Sequence, residues 1–389
     1  MSVEMLPEYA IRRDLPRPVE EIARTHRLDP RIASLVPGFD APFFQAGLAG
    51  YSDGAMRLIA RRHGCCFAVT EALLDRTLIN GGKGRAREDP DLLAEECGTG
   101  TLDDNAPADR ADETSVRGDH PIAGQIMGTD PVEMARGAAI LAGMNYEVID
   151  VNFACPVKKI KRRNRGGHFL TAPDDAIAVL RAVRDAVPAR IPTTVKLRRA
   201  WDDSPAMAAN FERIFEAAYE SGYSWATVHC RTVEQRYKGP GRWETLADLV
   251  TRHPDKLIFG SGDIWTAADI FAMLELTGVH AVSVARGCIG NPWIFRQARQ
   301  LMAGDDSSAD GPTIAEQRQV LLDHFDLSVK LHGERPASKM MRKFGIKFAA
   351  HHPDGEAVRQ AFIQCRSIAE WHAVIERHYS VLDGRTSAA

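Results

Sequence analysis

No run of the 389 residues approaches the roughly 18 uninterrupted apolar positions that a membrane-spanning helix needs. The opening "MSVEMLPEYAIRRDLPRP" has charge and proline where a secretory signal requires an apolar stretch, so a cytoplasmic protein with no membrane partner is expected. Cysteine is sparse. The seven present, Cys65, Cys66, Cys97, Cys155, Cys230, Cys288 and Cys365, are odd in number and form no CxxC pair. That excludes a disulfide framework and gives zinc or thioredoxin chemistry no support, so no metal is expected. Positive charge is not in excess either. With a net charge of -3, contact with nucleic acid has to come from local patches.

What is present is an ordinary soluble composition, 44% hydrophobic and 26% charged, able to bury a sizeable core. Eight short runs rich in Val, Ile, Thr and aromatics read as strands: "FFQAGL" (43–48), "CFAVT" (66–70), "IAGQIM" (122–127), "YEVIDVNF" (146–153), "PTTVKLR" (192–198), "WATVHC" (225–230), "LIFGSG" (257–262) and "HAVSVAR" (280–286). Several lack clean alternation, as strands covered on both faces do. Helical patterns such as "DPVEMARGAAILAGM" and "TAADIFAMLELTG" lie between them. The alternation predicts an α/β fold, a (β/α)8 TIM barrel over 41–304, with a polar insertion at 81–119. Residues 1–40 read as an N-terminal extension. Beyond "DDSSADGP" the pattern is wholly helical, which predicts a small all-helical C-terminal domain over 313–385.

In such a barrel the chemistry gathers where strands end. Those ends carry Gln125, Asn152 and Cys155, Lys196 and Arg198, His229 and Arg231, Ser261 and Gly262, Arg286 and Gly287. The stretches "GSGDIWTAAD" and "ARGCIGNPWIF" each run into a helix start, where small residues let backbone N–H groups approach an anion. Lys196 should point into the mouth and there needs an anionic partner, a ligand or a structural carboxylate. His229 reads equally as a ligand or as a satisfied core histidine. Cys155 is followed by "KKIKRRNR", six basic side chains in eight positions, which by itself could be a solvated loop beside a free thiol.

Taken together these segments resemble the tRNA-dihydrouridine synthases, most closely the bacterial B-type subgroup. The resemblance rests on "DVNFACPVKKIKRRNRGGHFL", "AGLAGYSD", "VKLR", "VHCRTVEQRYKGPGRWE", "GSGDI" and "ARGCIGNPWIF", which occur in family order across most of residues 44–300. It implies an FMN-dependent oxidoreductase that reduces the C5–C6 bond of a uridine in tRNA, with NADPH or NADH as reductant. It makes Cys155 the general acid and Asn152 the residue that orients the uracil. Gln125, Lys196 and His229 become flavin ligands. Gly47, Leu48, Ser261, Gly262, Asp263, Arg286 and Gly287 form the flavin cradle and its phosphate loops. Lys158, Lys159, Arg162, Arg163, Arg198 and Arg231 fall to the RNA, and the helical tail to RNA binding. A monomer is favoured.

A thiol suits the acid's part: its ordinary pKa of about 8.5 keeps it protonated near neutrality yet able to lose the proton. Cations packed against it would spoil that, so Lys159 through Arg165 are expected to turn outward. Three positions depart from the family pattern: Ala154 for Gly, Gly47 for Pro, and Ser261 for Asn. A flavin barrel reducing a small pyrimidine or enone, and a non-catalytic RNA-binding protein, are the competing readings. The basic run and the helical tail weigh against the first. Cys155, Lys196 and His229 weigh against the second.

Overall fold

The computed structural model describes residues 14–87, 89–93, 118–156 and 165–380. Among the described residues nine strands form: β1 Phe43–Gln45, β2 Ala68–Val69, β3 Leu73–Leu74, β4 Ile122–Met127, β5 Val148–Phe153, β6 Thr193–Arg198, β7 Trp225–His229, β8 Ile258–Ser261 and β9 Ala281–Val284. Every pairing is parallel. The ring closes because β1 pairs with both β2 and β9 while β2 pairs with β4, so eight strands make the barrel. All eight predicted runs supply one of them. β4 and β5 are buried at each of their residues, which explains their unbroken apolar runs. The short β3 lies outside the ring against the end of β4, and two residues are too few to show any periodicity.

Local chemistry starts the intervening helices where the sequence predicts. Asp130 accepts from the N–H groups of Val132 and Glu133, both at 2.9 Å, with Pro131 as first helical residue. Thr266 and Asp269 form a reciprocal capping box, and Gly278 (φ 70) ends that helix in the left-handed region.

The end of the N-terminal extension packs against the barrel through Phe39. Phe39 stacks on Phe67 with ring centroids 4.7 Å apart and meets Phe44 and Phe259 edge-on. Where the insertion returns to the barrel, Asp119 takes Arg57 Nε at 2.6 Å and Arg61 Nε at 3.0 Å.

The tail is helical as predicted, over Ile314–His332, Glu334–Phe348, Gly355–Gln364 and Ile368–His378. The wholly helical pattern read from the sequence does not mark the break between the last two. They separate because Ser367 caps a new helix, accepting from Glu370 N–H at 3.2 Å. This region is tied to the first loop of the barrel mouth. His332 Nε2 lies 2.7 Å from Asp53 Oδ2, and Lys343 donates to Gly50 O while its ammonium sits 3.9 Å from the Tyr51 ring centroid. Among the described residues no helix is long and apolar enough to cross a membrane.

His324 is 1% exposed, packs on Phe344 at 4.3 Å, and has no hydrogen-bond partner at either ring nitrogen among the described residues. Burial pushes it down to about 4. Below its ordinary value of 6.5 the unfolded chain binds a proton that the folded chain refuses, so stability falls as pH drops through that window. His324→Phe is expected to remove about 2 kcal/mol of the stability difference between about pH 7 and about pH 4.5, read by urea unfolding of both proteins.

Candidate active site

Around the mouth, the strand ends present Cys155, Lys196, His229, Gly262 and Arg286, each partly exposed above a buried wall. Beneath them the barrel is packed. The void bounded by Gln125, Asp150, Thr194 and Lys196 measures about 10 Å³, room for roughly one water. A far larger cleft of about 1030 Å³, lined by Arg31, Tyr219 and Leu257, opens beside the starts of β7 and β8, away from these groups.

One connected chain of hydrogen bonds organises the β4–β6 side. Thr194 Oγ1 donates to Asp150 Oδ1 at 2.7 Å, and Gln125 Nε2 donates to Asp150 Oδ2 at 2.7 Å. Asn152 Nδ2 in turn donates to Gln125 Oε1 at 2.7 Å. Asn152 Oδ1 accepts the backbone N–H groups of Ala154 (3.0 Å) and Cys155 (3.1 Å). Parallel register makes this possible, since Gln125 pairs with Asp150, Asp150 with Thr194, and Asn152 with Lys196. Each amide has one satisfying orientation, because a flipped Gln125 would set its oxygen against the carboxylate. Burial lowers the Lys196 pKa against the opposing pull of Asp150. Burial also raises that of Asp150, against the hydrogen bonds from Thr194 and Gln125 and the charge of Lys196.

Cys155 is the one described cysteine that is not buried. Its loop is held from three directions. Asn152 takes its N–H, Gly167 N–H donates to its carbonyl at 3.1 Å, and Arg198 Nε donates to Ala154 O at 2.9 Å. Gly166 (φ 57) comes so close that a Cβ there would stand 2.9 Å from the Cys155 Cβ.

Three arginines differ from expectation. Arg198 is 2% exposed and gives Nη1 to the carbonyls of Thr232 and Arg236, both at 2.8 Å, so it braces loops. Arg231 is 0% exposed, with Nη2 2.5 Å from Asp263 Oδ1 and Nε donating to Gly239 O. Arg165 turns inward, 7% exposed, because the Asp75 carboxylate lies 3.6 Å away. Lys158, Lys159, Arg162 and Arg163 lie outside the described residues.

The β7–β9 side is built for close backbone approach and positive charge. A Cβ on Gly262 (φ 125) would stand 2.4 Å from Cys230 Sγ, and one on Gly287 2.1 Å from Ile264 O. Arg286 lies between Trp265 and Tyr237, 4.7 and 5.2 Å from their ring centroids, and 4.0 Å from Asp263. Burial, together with Arg198, Arg231, Lys196 and Arg286, holds His229 well below its ordinary pKa. Its Nδ1 accepts Arg231 N–H at 3.2 Å, which leaves the proton on Nε2. Across the mouth, a Cβ on Gly47 would stand 2.3 Å from Thr70 O, so the glycine lets two loops meet, and Leu48 N–H donates to Ser52 Oγ at 2.7 Å. Sequence reasoning passed over Asp150, Thr194 and Asp75. The carboxylate inside "YEVIDVNF" was a readable signal for the first.

Fold and site together define a (β/α)8-barrel enzyme whose cationic mouth carries the one accessible thiol among the described residues. The family model for dihydrouridine synthase (Dus) matches residues 45–381. A probable tRNA-dihydrouridine synthase of Treponema pallidum is 31% identical over 85% of this chain and 91% of its own length. The tRNA-dihydrouridine synthase B of Shewanella oneidensis is 28% identical over 87% and 95%. The chain belongs to the dihydrouridine synthase family and is an oxidoreductase.

Arg198→Ala strands three carbonyls, so it is expected to destabilise the fold by about 3 kcal/mol in urea unfolding without RNA present. A side chain serving only RNA contact would leave that value unchanged.

Proposed function

We propose that this protein reduces the C5–C6 bond of a uridine in tRNA to 5,6-dihydrouridine, using FMN and taking electrons from NADPH or NADH. The observation that carries the reading is the accessible Cys155 thiol, bracketed by Asn152, Gly167 and Arg198 beside the Lys196–His229 wall. The residues present fit a bound flavin phosphate. Ser261 Oγ and Trp265 Nε1 are buried donors with no partner among the described residues, next to the close-approach glycines Gly262 and Gly287 and the charge of Arg286. Gln125, Lys196 and His229 would face the ring system, with Gly47 and Leu48 at its edge.

When bound, reduced FMN supplies a hydride for C6 of the uracil. Cys155 then gives its proton to C5 and is left as thiolate, and solvent restores the proton. One hydride and one proton balance the saturation of the bond. Asn152 holds the cysteine backbone through Oδ1, while Lys196 places positive charge where the electron-rich ring system needs it. His229 stays neutral and offers a donor at Nε2. A base inside folded RNA has to be swung out to reach this mouth, and cations around it grip the backbone in a salt-dependent way. The protein is read as a cytoplasmic monomer with tRNA as partner and with no metal in the chemistry.

The purified protein should be yellow, and Cys155→Ala should retain flavin while losing dihydrouridine formation by at least ~100-fold. Mapping dihydrouridine in tRNA from cells with and without the gene checks the substrate. Turnover of free uridine at a rate indifferent to salt and RNA would overturn the reading.

A further inference from the structure

The basic run that follows Cys155 ends in a side chain that faces the protein. Arg165 is 7% exposed and has a buried Nε with no hydrogen-bond partner among the described residues. Opposite it, Asp75 is 0% exposed at the start of the helix Asp75–Asn80, just after β3. Its Oδ1 accepts Arg76 N–H at 2.7 Å and lies 3.6 Å from Arg165 Nη2. Its Oδ2 is buried without a partner among the described residues, in a space left by Gly128, where a Cβ would stand 2.0 Å away. A buried ion pair with unmet hydrogen-bonding groups on both partners is a poor source of stability, because desolvation offsets the attraction. It is better suited to fixing where a segment lies.

The segment it fixes is the return limb of the Cys155 loop. Next to Arg165, Gly166 presses on Cys155, and the following Gly167 N–H holds the cysteine carbonyl at 3.1 Å. A displacement of Arg165 is therefore handed to the cysteine within two residues. We infer that Asp75 and Arg165 form a positioning pair for Cys155, setting where the thiol stands against the uracil. This inference rests on the reading of Cys155 as proton donor.

The test compares Asp75→Asn, Arg165→Met and Arg165→Lys with the parent protein. Alkylation of Cys155 by iodoacetamide, followed by peptide mass spectrometry, needs no turnover. Single-turnover reduction of tRNA by the pre-reduced holoenzyme reads the proton transfer. Asp75→Asn and Arg165→Met are expected to change the alkylation rate at least ~3-fold and to slow single turnover by about 10-fold, with flavin content and tRNA affinity within about 2-fold. Arg165→Lys, which keeps the charge, should recover most of the rate. Parent-like alkylation and turnover in both Asp75→Asn and Arg165→Met overturn the pair, as does a loss that only tracks flavin content or folded fraction. If Asp75→Asn does not fold, Arg165→Met decides by the same measurements. A Cys155→Ala protein that still reduces uridine at the parent rate would instead overturn the underlying reading. An inactive Cys155→Ala beside normal pair variants overturns the pair alone.

Discussion

A carboxylate enclosed by a barrel governs what happens at the barrel's open end. Asp150 is 5% exposed, and an acid so placed has to be met by aligned donors or by a neighbouring cation. Thr194, Gln125 and Lys196 provide both. Once the Gln125 amide is committed to Asp150, its oxygen faces Asn152, and the Asn152 oxygen is free to take the backbone of Ala154 and Cys155. The register of the Cys155 loop thus descends, one hydrogen bond at a time, from a residue buried beneath the mouth. Strand pairing makes the sequence of bonds possible, since each partner sits opposite the next in the sheet.

Positive charge at the mouth divides into two kinds. Arg198 and Arg231 are interior struts whose guanidinium groups gather carbonyls from loops that would otherwise have no reason to converge. Lys196 and Arg286 remain partly open and set the field at the mouth. His229 responds to both kinds and stays uncharged, which turns it from a potential cation into a directional donor. The same residue letters therefore brace the scaffold in one place and stand open at the mouth in another, and exposure is what separates them.

That separation also explains what the sequence could and could not reveal. The eight barrel strands were legible because strands covered on both faces leave apolar runs that no surface helix produces, and Gln125, Lys196 and His229 stood out as polar residues within or at the end of those runs. The order of the family motifs added the identity, and the family match over residues 45–381 agrees with it. The inward turns of Arg165, Arg198 and Arg231 were hidden. Their partners are set by contacts distant in the chain: Asp75 for the first, Thr232 and Arg236 for the second, Asp263 for the third. A basic residue beside a loop reads as solvent-facing until its counter-charge is located. The two-residue β3 and the helix break at Ser367 escaped for a simpler reason, being shorter than any period that could announce them.

The contacts that bind the helical tail to the barrel reach across 279 and 293 positions of chain, from His332 to Asp53 and from Lys343 to Gly50. Both anchor points belong to the loop that begins with Gly47 and Leu48. The helix Glu334–Phe348 touches that rim directly through Lys343, so a load placed on the tail bears on the lip of the mouth as a handle bears on a jaw.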